Sequence, residues 1–302
     1  MRAGGFCLFA IILLFLGKLV FKMKKILPLM LLLLAALPAR AGKVVTDTLR
    51  SEILKADVMY NVYLPDGFSD SNEKYPVVYL LHGLYGSYSD WLNTGRMKEV
   101  ADEFIRSGEI RKMIIVMPNA GNRDARNVWN GYFNMPGWNY EDFFFQEFLP
   151  AAEKKYRAVG DKGHRAIMGL SMGGGGSTVY AQRHSDMFSS CYAMSAWLDQ
   201  VMDEKAPKDK LYYTRKSVRE HSALDFIDNA DGATLEKLRS VKWFIDCGDD
   251  DFLLDLSVSF YQKMRAAKIK SELRVRDGVH NWEYWHLALR MALPFASRNF
   301  EP

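Results

Sequence analysis

Residues 169 to 177 read GLSMGGGGS, and this stretch limits the possible folds more than any other. A glycine-rich run can be a linker, a phosphate-cradling loop, or a turn too tight for side chains. The flanks separate these readings. HRAIMGL, just before the serine, is a short apolar segment that reads as a buried strand. STVYAQRHSDMF, just after the glycines, carries apolar residues at helical spacing. A strand, a sharp turn and a helix with a serine at the apex is the context of the G-x-S-x-G elbow, here Gly169-Leu170-Ser171-Met172-Gly173. The serine takes strained backbone angles, so the positions two before and two after it must be nearly free of side chains. Gly174 to Gly176 would then let the helix start pack closely on neighbouring strands.

The rest of the chain repeats the same alternation. VVTDTLRSEIL and DVMYNVYLP alternate apolar and polar residues and predict an antiparallel hairpin at a sheet edge. From there strands and helices take turns: VVYLLH, then RMKEVADEFIRSG; MIIVMP, then YEDFFFQEFLPAAEKKY; RAIMGL, then the glycine-rich helix. CYAMSA, WFIDCG and SELRVRD add three strands, and NWEYWHLALRMALPFA is the last helix. Continuous apolar strands interleaved with amphipathic helices predict an α/β fold, a mostly parallel sheet covered on both faces. Residues 197 to 240 form a longer polar excursion between two strands. LDFIDNADGATLEKL within it predicts a small helical cap over the strand ends.

The N-terminus reads as an address. Lys24 and Lys25, the apolar stretch Ile26 to Leu37 and the small-x-small Ala39-Arg40-Ala41 make a signal peptide, with cleavage expected after Ala41. The pattern begins just after Met23, which is the expected translation start. The competing reading is a membrane anchor formed by residues 5 to 21, a run near the lower limit for spanning a bilayer. With export and cleavage, residues 42 to 302 form one domain, periplasmic or secreted, with no stable membrane anchor. The whole chain carries 40 basic and 36 acidic residues. Six of the basic ones (Arg2, Lys18, Lys22, Lys24, Lys25 and Arg40) precede Gly42, leaving 34 against 36 and a net charge of −2. The basic balance is therefore a targeting signal, and no nucleic-acid partner is expected. Cys191 and Cys247 sit in strand-like segments and read as buried thiols, with pairing between them as the alternative. No C-x-x-C or H-E-x-x-H occurs, so neither a metal nor any other cofactor is expected.

A serine nucleophile needs a base, and the base needs a group to orient it. In chains built around this elbow the order is serine, acid, histidine, each on a loop after a strand. His280 lies in DGVHN, directly after SELRVRD, and meets that order. His286 falls inside the last helix. His82 comes too early and reads as a structural hydrogen-bonding residue, while His164, His184 and His221 read as exposed. Asp249, Asp250 and Asp251 all stand at the end of a strand in CGDDDFLL, and spacing does not choose among them. Two backbone N–H groups are needed for a developing oxyanion. Met172 follows the serine, and Leu84, in LLHGLYGSYSDW, follows an early strand.

LLHGLYGSYSDW, GLSMGG, CGDDDFLL and a histidine after the last strand together resemble the esterase D-like branch of the α/β-hydrolases. That branch includes the feruloyl and acetylxylan esterases of carbohydrate esterase family 1, S-formylglutathione hydrolases and bacterial mycolyltransferases. The likeness runs over roughly residues 45 to 298. In the family pattern the acid is the third residue after the strand-end glycine, before an aromatic-leucine pair. The resemblance thus implies Asp251, ahead of Phe252 and Leu253, and it supports Leu84 and Met172 as oxyanion donors. It also implies a serine carboxylic-ester hydrolase acting on acylated plant polysaccharide, with feruloyl or acetyl esters of xylan as substrates. Acyl transfer to a sugar or lipid hydroxyl, a general short-chain carboxylesterase and a non-catalytic binding protein are the alternatives. Substrate contacts are expected from the family-variable segment 119 to 139, where Trp129, Tyr132 and Trp138 either stack on the acyl group or sugar or pack on the scaffold.

Overall fold

The computed structural model describes residues 41–121 and 131–302. Its main sheet has eight strands. In chain order β1 (Lys43–Ser51) and β2 (Ala56–Leu64) form the expected hairpin, followed by β3 (Val77–Leu81) and β4 (Ile114–Pro118). The two-residue strands β5 (Asn134–Met135) and β6 (Trp138–Asn139) make a separate small ribbon. The main sheet resumes with β7 (Arg165–Leu170), β8 (Ser190–Met194), β9 (Lys242–Gly248) and β10 (Ser271–Arg276). Its order is β1-β2-β4-β3-β7-β8-β9-β10. β1 and β2 join antiparallel, and the strands from β4 to β10 run parallel.

The apolar runs follow from burial on both faces. In β3, Val77, Tyr79 and Leu81 enter one core, while Val78 and Leu80 enter the other. Helices α1 (Met97–Ser107) and α7 (Trp282–Asn299) cover the second face. In α7, Trp285, Leu289, Leu293 and Ala296 recur every three or four residues and are buried there. Each fully buried large side chain contributes about 1.5–3 kcal/mol. The first face is covered by the helical stretch through Tyr140–Phe143, Phe144–Phe148 and Leu149–Lys155, by α2 (Met172–Arg183) and by α6 (Leu254–Ala266).

The excursion between β8 and β9 holds three helices, α3 (Lys210–Glu220), α4 (Ala223–Asn229) and α5 (Gly232–Arg239). Each starts on an acceptor side chain: Asp209, Ser222 and Asp231 receive the N–H groups of Tyr212, Asp225 and Thr234. Such caps hold short helices that would be marginal alone. Cys191 and Cys247 are both buried free thiols on neighbouring strands. Burial pushes the Cys247 thiol up to about 12. No helix among the described residues is long and apolar enough to cross a membrane. The expected signal segment lies outside the described residues.

Because β3, β7, β9 and β10 are parallel, the loops that follow them leave from one edge of the sheet. That is where open parallel sheets hold their sites.

Candidate active site

Ser171 follows the last residue of β7 and precedes the first of α2, with φ 52° and ψ −118°. Its N–H donates to the Met194 carbonyl at 2.9 Å, and its carbonyl accepts from Gly175 at 3.0 Å and Trp197 at 2.9 Å. The backbone is therefore tied on both sides while the side chain projects from the turn. The glycines make this geometry possible. A Cβ on Gly173 would lie 2.5 Å from the His82 carbonyl oxygen, and one on Gly169 would lie 2.5 Å from the Gly173 oxygen. Gly175 and Gly176 meet Trp197 and the Tyr132 ring in the same way. The whole run is a contact surface where α2 starts against β3 and the loop after β8.

His280 stands in the loop after β10, with Nε2 2.9 Å from Ser171 Oγ. On its other side Nδ1 lies 2.8 Å from Asp251 Oδ2 and 3.0 Å from Oδ1. A ring nitrogen facing a carboxylate carries the proton, which leaves Nε2 as an acceptor toward the serine hydroxyl. The Asp251 side chain is fully buried. Burial pushes its carboxyl up, but His280, the Leu253 N–H at 2.9 Å and the Ser195 hydroxyl outweigh that and hold it below its ordinary value. The other two aspartates are spent on the turn. Asp249 accepts the Gly278 N–H at 3.0 Å, and the Asp250 N–H donates to the Gly278 carbonyl at 3.1 Å.

Leu84 and Met172 flank the serine. Met172 opens α2, where an N–H has no intrahelical acceptor. Leu84 lines the same cavity as Ser171, and a Cβ on the adjacent Gly83 would lie 3.7 Å from Ser171 Cβ. His82 is structural, as its position in the order suggested. Its Nε2 accepts the Ala120 N–H at 2.9 Å, so Nδ1–H donates to the Gly83 carbonyl at 2.8 Å. Burial lowers its pKa, and the neutral ring fixes the turn that carries Leu84.

For Tyr132 and Trp138 the structure shows packing on the scaffold, the second of the two readings. Tyr132 is buried: its hydroxyl donates to the His82 carbonyl at 3.0 Å and its ring fills the space left by Gly176. Trp138 is buried as well, with its indole N–H on the Ala120 carbonyl at 3.0 Å and its ring stacked on Tyr140. Both belong to the scaffold, because two ring faces and a polar tip are already satisfied there. Trp129 lies outside the described residues. His164, His184 and His221 also differ from expectation. None is fully exposed: His164 pairs with Asp161 at 2.8 Å, and His184 and His221 each approach the buried Glu141 at 3.7 Å.

The cavity over Ser171 measures about 560 Å³ and is walled instead by Tyr85, Trp197, Val201, Leu211, Phe252 and Leu256. This is within the range of small-molecule sites. The cap excursion supplies Trp197, Val201 and Leu211, so it forms one wall of the site. Phe252 lies against His280, the two ring centroids 4.5 Å apart. Sequence reading passed over a further group beneath the acid. Ser195 is fully buried with φ 44°, its N–H donates to the Asp246 carbonyl at 2.7 Å, and Oγ accepts the Trp285 indole N–H at 3.1 Å. Trp285 also meets the His280 ring edge-on, centroids 4.9 Å apart. One indole therefore touches the base and the serine beside the acid. The only signal in the sequence was the serine just past a strand end.

Comparison with known proteins gives consistent results. A family model described as "Putative esterase" matches residues 51–296. A solved ferulic acid esterase is 52% identical, with 86% of this chain and 99% of that one covered and a TM-score of 0.83. The endo-1,4-beta-xylanase/feruloyl esterase of Xylanibacter ruminicola is 26% identical over 234 residues, 76% of this chain and 28% of that protein. The chain thus spans little more than a quarter of that relative. The acetyl esterase of Caldicellulosiruptor saccharolyticus is 24% identical over 241 residues, 75% of this chain and 85% of that protein.

Proposed function

The chain belongs to the esterase family, and from that premise we propose that it is an exported serine carboxylic-ester hydrolase acting on feruloyl or acetyl esters of xylan. The observation that carries the reading is one imidazole bridging a serine hydroxyl at 2.9 Å and a buried carboxylate at 2.8 Å. In this reaction Ser171 Oγ attacks the ester carbonyl as His280 Nε2 takes its proton. Asp251 holds the Nδ1–H tautomer and stabilises the imidazolium. The N–H groups of Leu84 and Met172 receive the charge that develops on the carbonyl oxygen. Collapse expels the alkoxide, protonated by His280, and leaves an acyl-enzyme on Ser171. A water deprotonated by the same imidazole then releases the acid.

The names of the similar proteins and the apolar, aromatic cavity over the serine support a hydroxycinnamoyl group more than a small acetyl group. The deciding measurement is kcat/KM on methyl ferulate against a short aliphatic ester. The Ser171→Ala variant is expected to keep its fold and lose about 10⁴- to 10⁶-fold in kcat. Retained turnover in that variant refutes the mechanism. A preference for the short ester that Ser171→Ala abolishes keeps the triad and moves the substrate to acetylated glycans. Export rests on the Lys24 to Ala41 pattern. It gains support from Gly42, which is buried and whose N–H donates to the Asp102 carboxylate at 2.7 Å. Cleavage after Ala41 would turn that N–H into an ammonium facing an acid.

A further inference from the structure

Among the described residues lining the cavity over Ser171, one charged side chain has no ion-pair partner. Ser171 Oγ is engaged by His280. Asp199 is paired with Arg219 at 2.8 Å. Gln200 accepts the Trp197 indole N–H at 3.1 Å and donates to the Val201 carbonyl. Two polar lining residues remain: Tyr85, a neutral phenol 61% exposed, and Arg215, exposed on α3, which has no carboxylate or hydrogen-bond partner among the described residues. On the same helix Lys216 pairs with Glu220 at 3.4 Å, and Arg219 is shared between Asp199 and Asp225 at 2.8 Å each. Leu211, one turn earlier on the same helix, lines the cavity beside it.

A lone surface arginine is ordinarily a solvated one. This one stands at the wall of a mostly apolar cavity whose lining carboxylate, Asp199, is already paired with another arginine. Arg215 is thus a cation at the cavity wall that makes no ion pair of its own. A guanidinium presents a planar fork that matches a carboxylate with two parallel hydrogen bonds. Complementary charge of this kind selects between ligands more than it adds raw affinity.

We propose that Arg215 makes this site selective for anionic esters, by pairing with a carboxylate that the substrate carries away from the scissile bond. The inference rests on the hydrolase reading above and adds the charge of the substrate to it. The carboxylate has two possible positions, on the acyl group or on the alcohol, and both place it within a cavity shared with Ser171.

Two isosteric pairs of esters separate these positions. Methyl 4-carboxycinnamate against methyl 4-carbamoylcinnamate varies charge on the acyl side. Carboxymethyl ferulate against carbamoylmethyl ferulate varies it on the alcohol side. The ratio of kcat/KM, anionic over neutral, is measured for the wild type, Arg215→Gln and Arg215→Lys. In one of the two pairs the wild-type ratio is expected to exceed that of Arg215→Gln about tenfold, mostly through KM. Arg215→Lys should restore part of the ratio, and added salt should reduce the wild-type preference. Identical ratios in the wild type and Arg215→Gln for both pairs overturn the proposal. Equilibrium binding of the same four esters to Ser171→Ala, read by tryptophan fluorescence, tests the anion preference without turnover. Absence of hydrolysis of all four by the wild type counts against the hydrolase reading, while the binding ratios still decide the role of Arg215.

Discussion

Ser171, Asp251 and His280 sit on loops, yet each is tied by short bonds to parallel strands or to one another. Ser171 is held through its own N–H and carbonyl, and Asp251 is fully buried with both oxygens engaged. The wall of the same cavity is built differently. Tyr85, Val201 and Phe252 are 61%, 88% and 76% exposed and come from three separate connections. The contrast assigns different physical tasks to the two regions. The groups proposed to react require positions fixed to fractions of an ångström, which strands and glycine contacts supply. The wall needs only a shape and a charge, which exposed side chains supply without strain and which can vary without disturbing the core.

If the division is real, substitutions should separate into those that lower kcat and those that raise KM. After Ser171→Ala, the largest effect is expected for Asp251→Asn, about 10⁴-fold in kcat with KM little changed, because an amide cannot hold the Nδ1–H tautomer. Steady-state kinetics on methyl ferulate checks it. The same variant reports on acid stability. The folded carboxyl is held below its ordinary value of about 3.9, so its contribution is present above that range and disappears as pH falls through the folded value. The wild-type thermal midpoint should fall between pH 5 and 2 more steeply than that of Asp251→Asn, and equal slopes would refute the assignment.

An intermediate effect is expected from Ser195→Ala. It removes a group that favours the charged form of Asp251 and leaves the Trp285 indole N–H without its acceptor. The expected result is about a tenfold loss of kcat and a destabilisation of roughly 1–3 kcal/mol from the unsatisfied donor. The steep acid loss of stability should also begin at higher pH. A lowered thermal midpoint with kcat and the pH profile unchanged would make Ser195 a packing residue only.

The smallest effect is expected from Phe252→Ala, and it is the sharpest test of the boundary between the two regions. An aromatic contact with an aryl substrate contributes about 0.5–1.5 kcal/mol, a two- to twelvefold rise in KM for methyl ferulate. The thermal midpoint should barely move. Because Phe252 also lies against His280, a fall in kcat as large as the rise in KM would place it with the reacting groups and break the division.

Sequence reading served the first region far better than the second. The elbow was legible because its rules are local. Ser171 needs positive φ, Gly169 and Gly173 need the absence of a Cβ, and the flanks carry strand and helix periodicities. His280 was legible for a related reason, since a histidine directly after a strand that follows the elbow fits a fixed order. Asp251 was not legible from the residues. Three adjacent aspartates have the same local surroundings, and only the closure of the β9 loop against the β10 loop buries one and leaves two on the turn.

The sequence by itself determined the alternation of strands and helices, the parallel sheet, the tight turn at Ser171 and the chain order of the proposed triad. Each of these depends on neighbours along the chain. The family resemblance, not the local residues, pointed to Asp251; the tertiary structure alone decided that Tyr132 and Trp138 fill the scaffold, and that Trp197, Leu211, Arg215 and Phe252 share a cavity with Ser171. Aromatic residues in a loop look the same in sequence whether they face a ligand or a gap left by Gly176. Their environment is set by segments tens of residues away, and packing, which is close and specific, makes the choice.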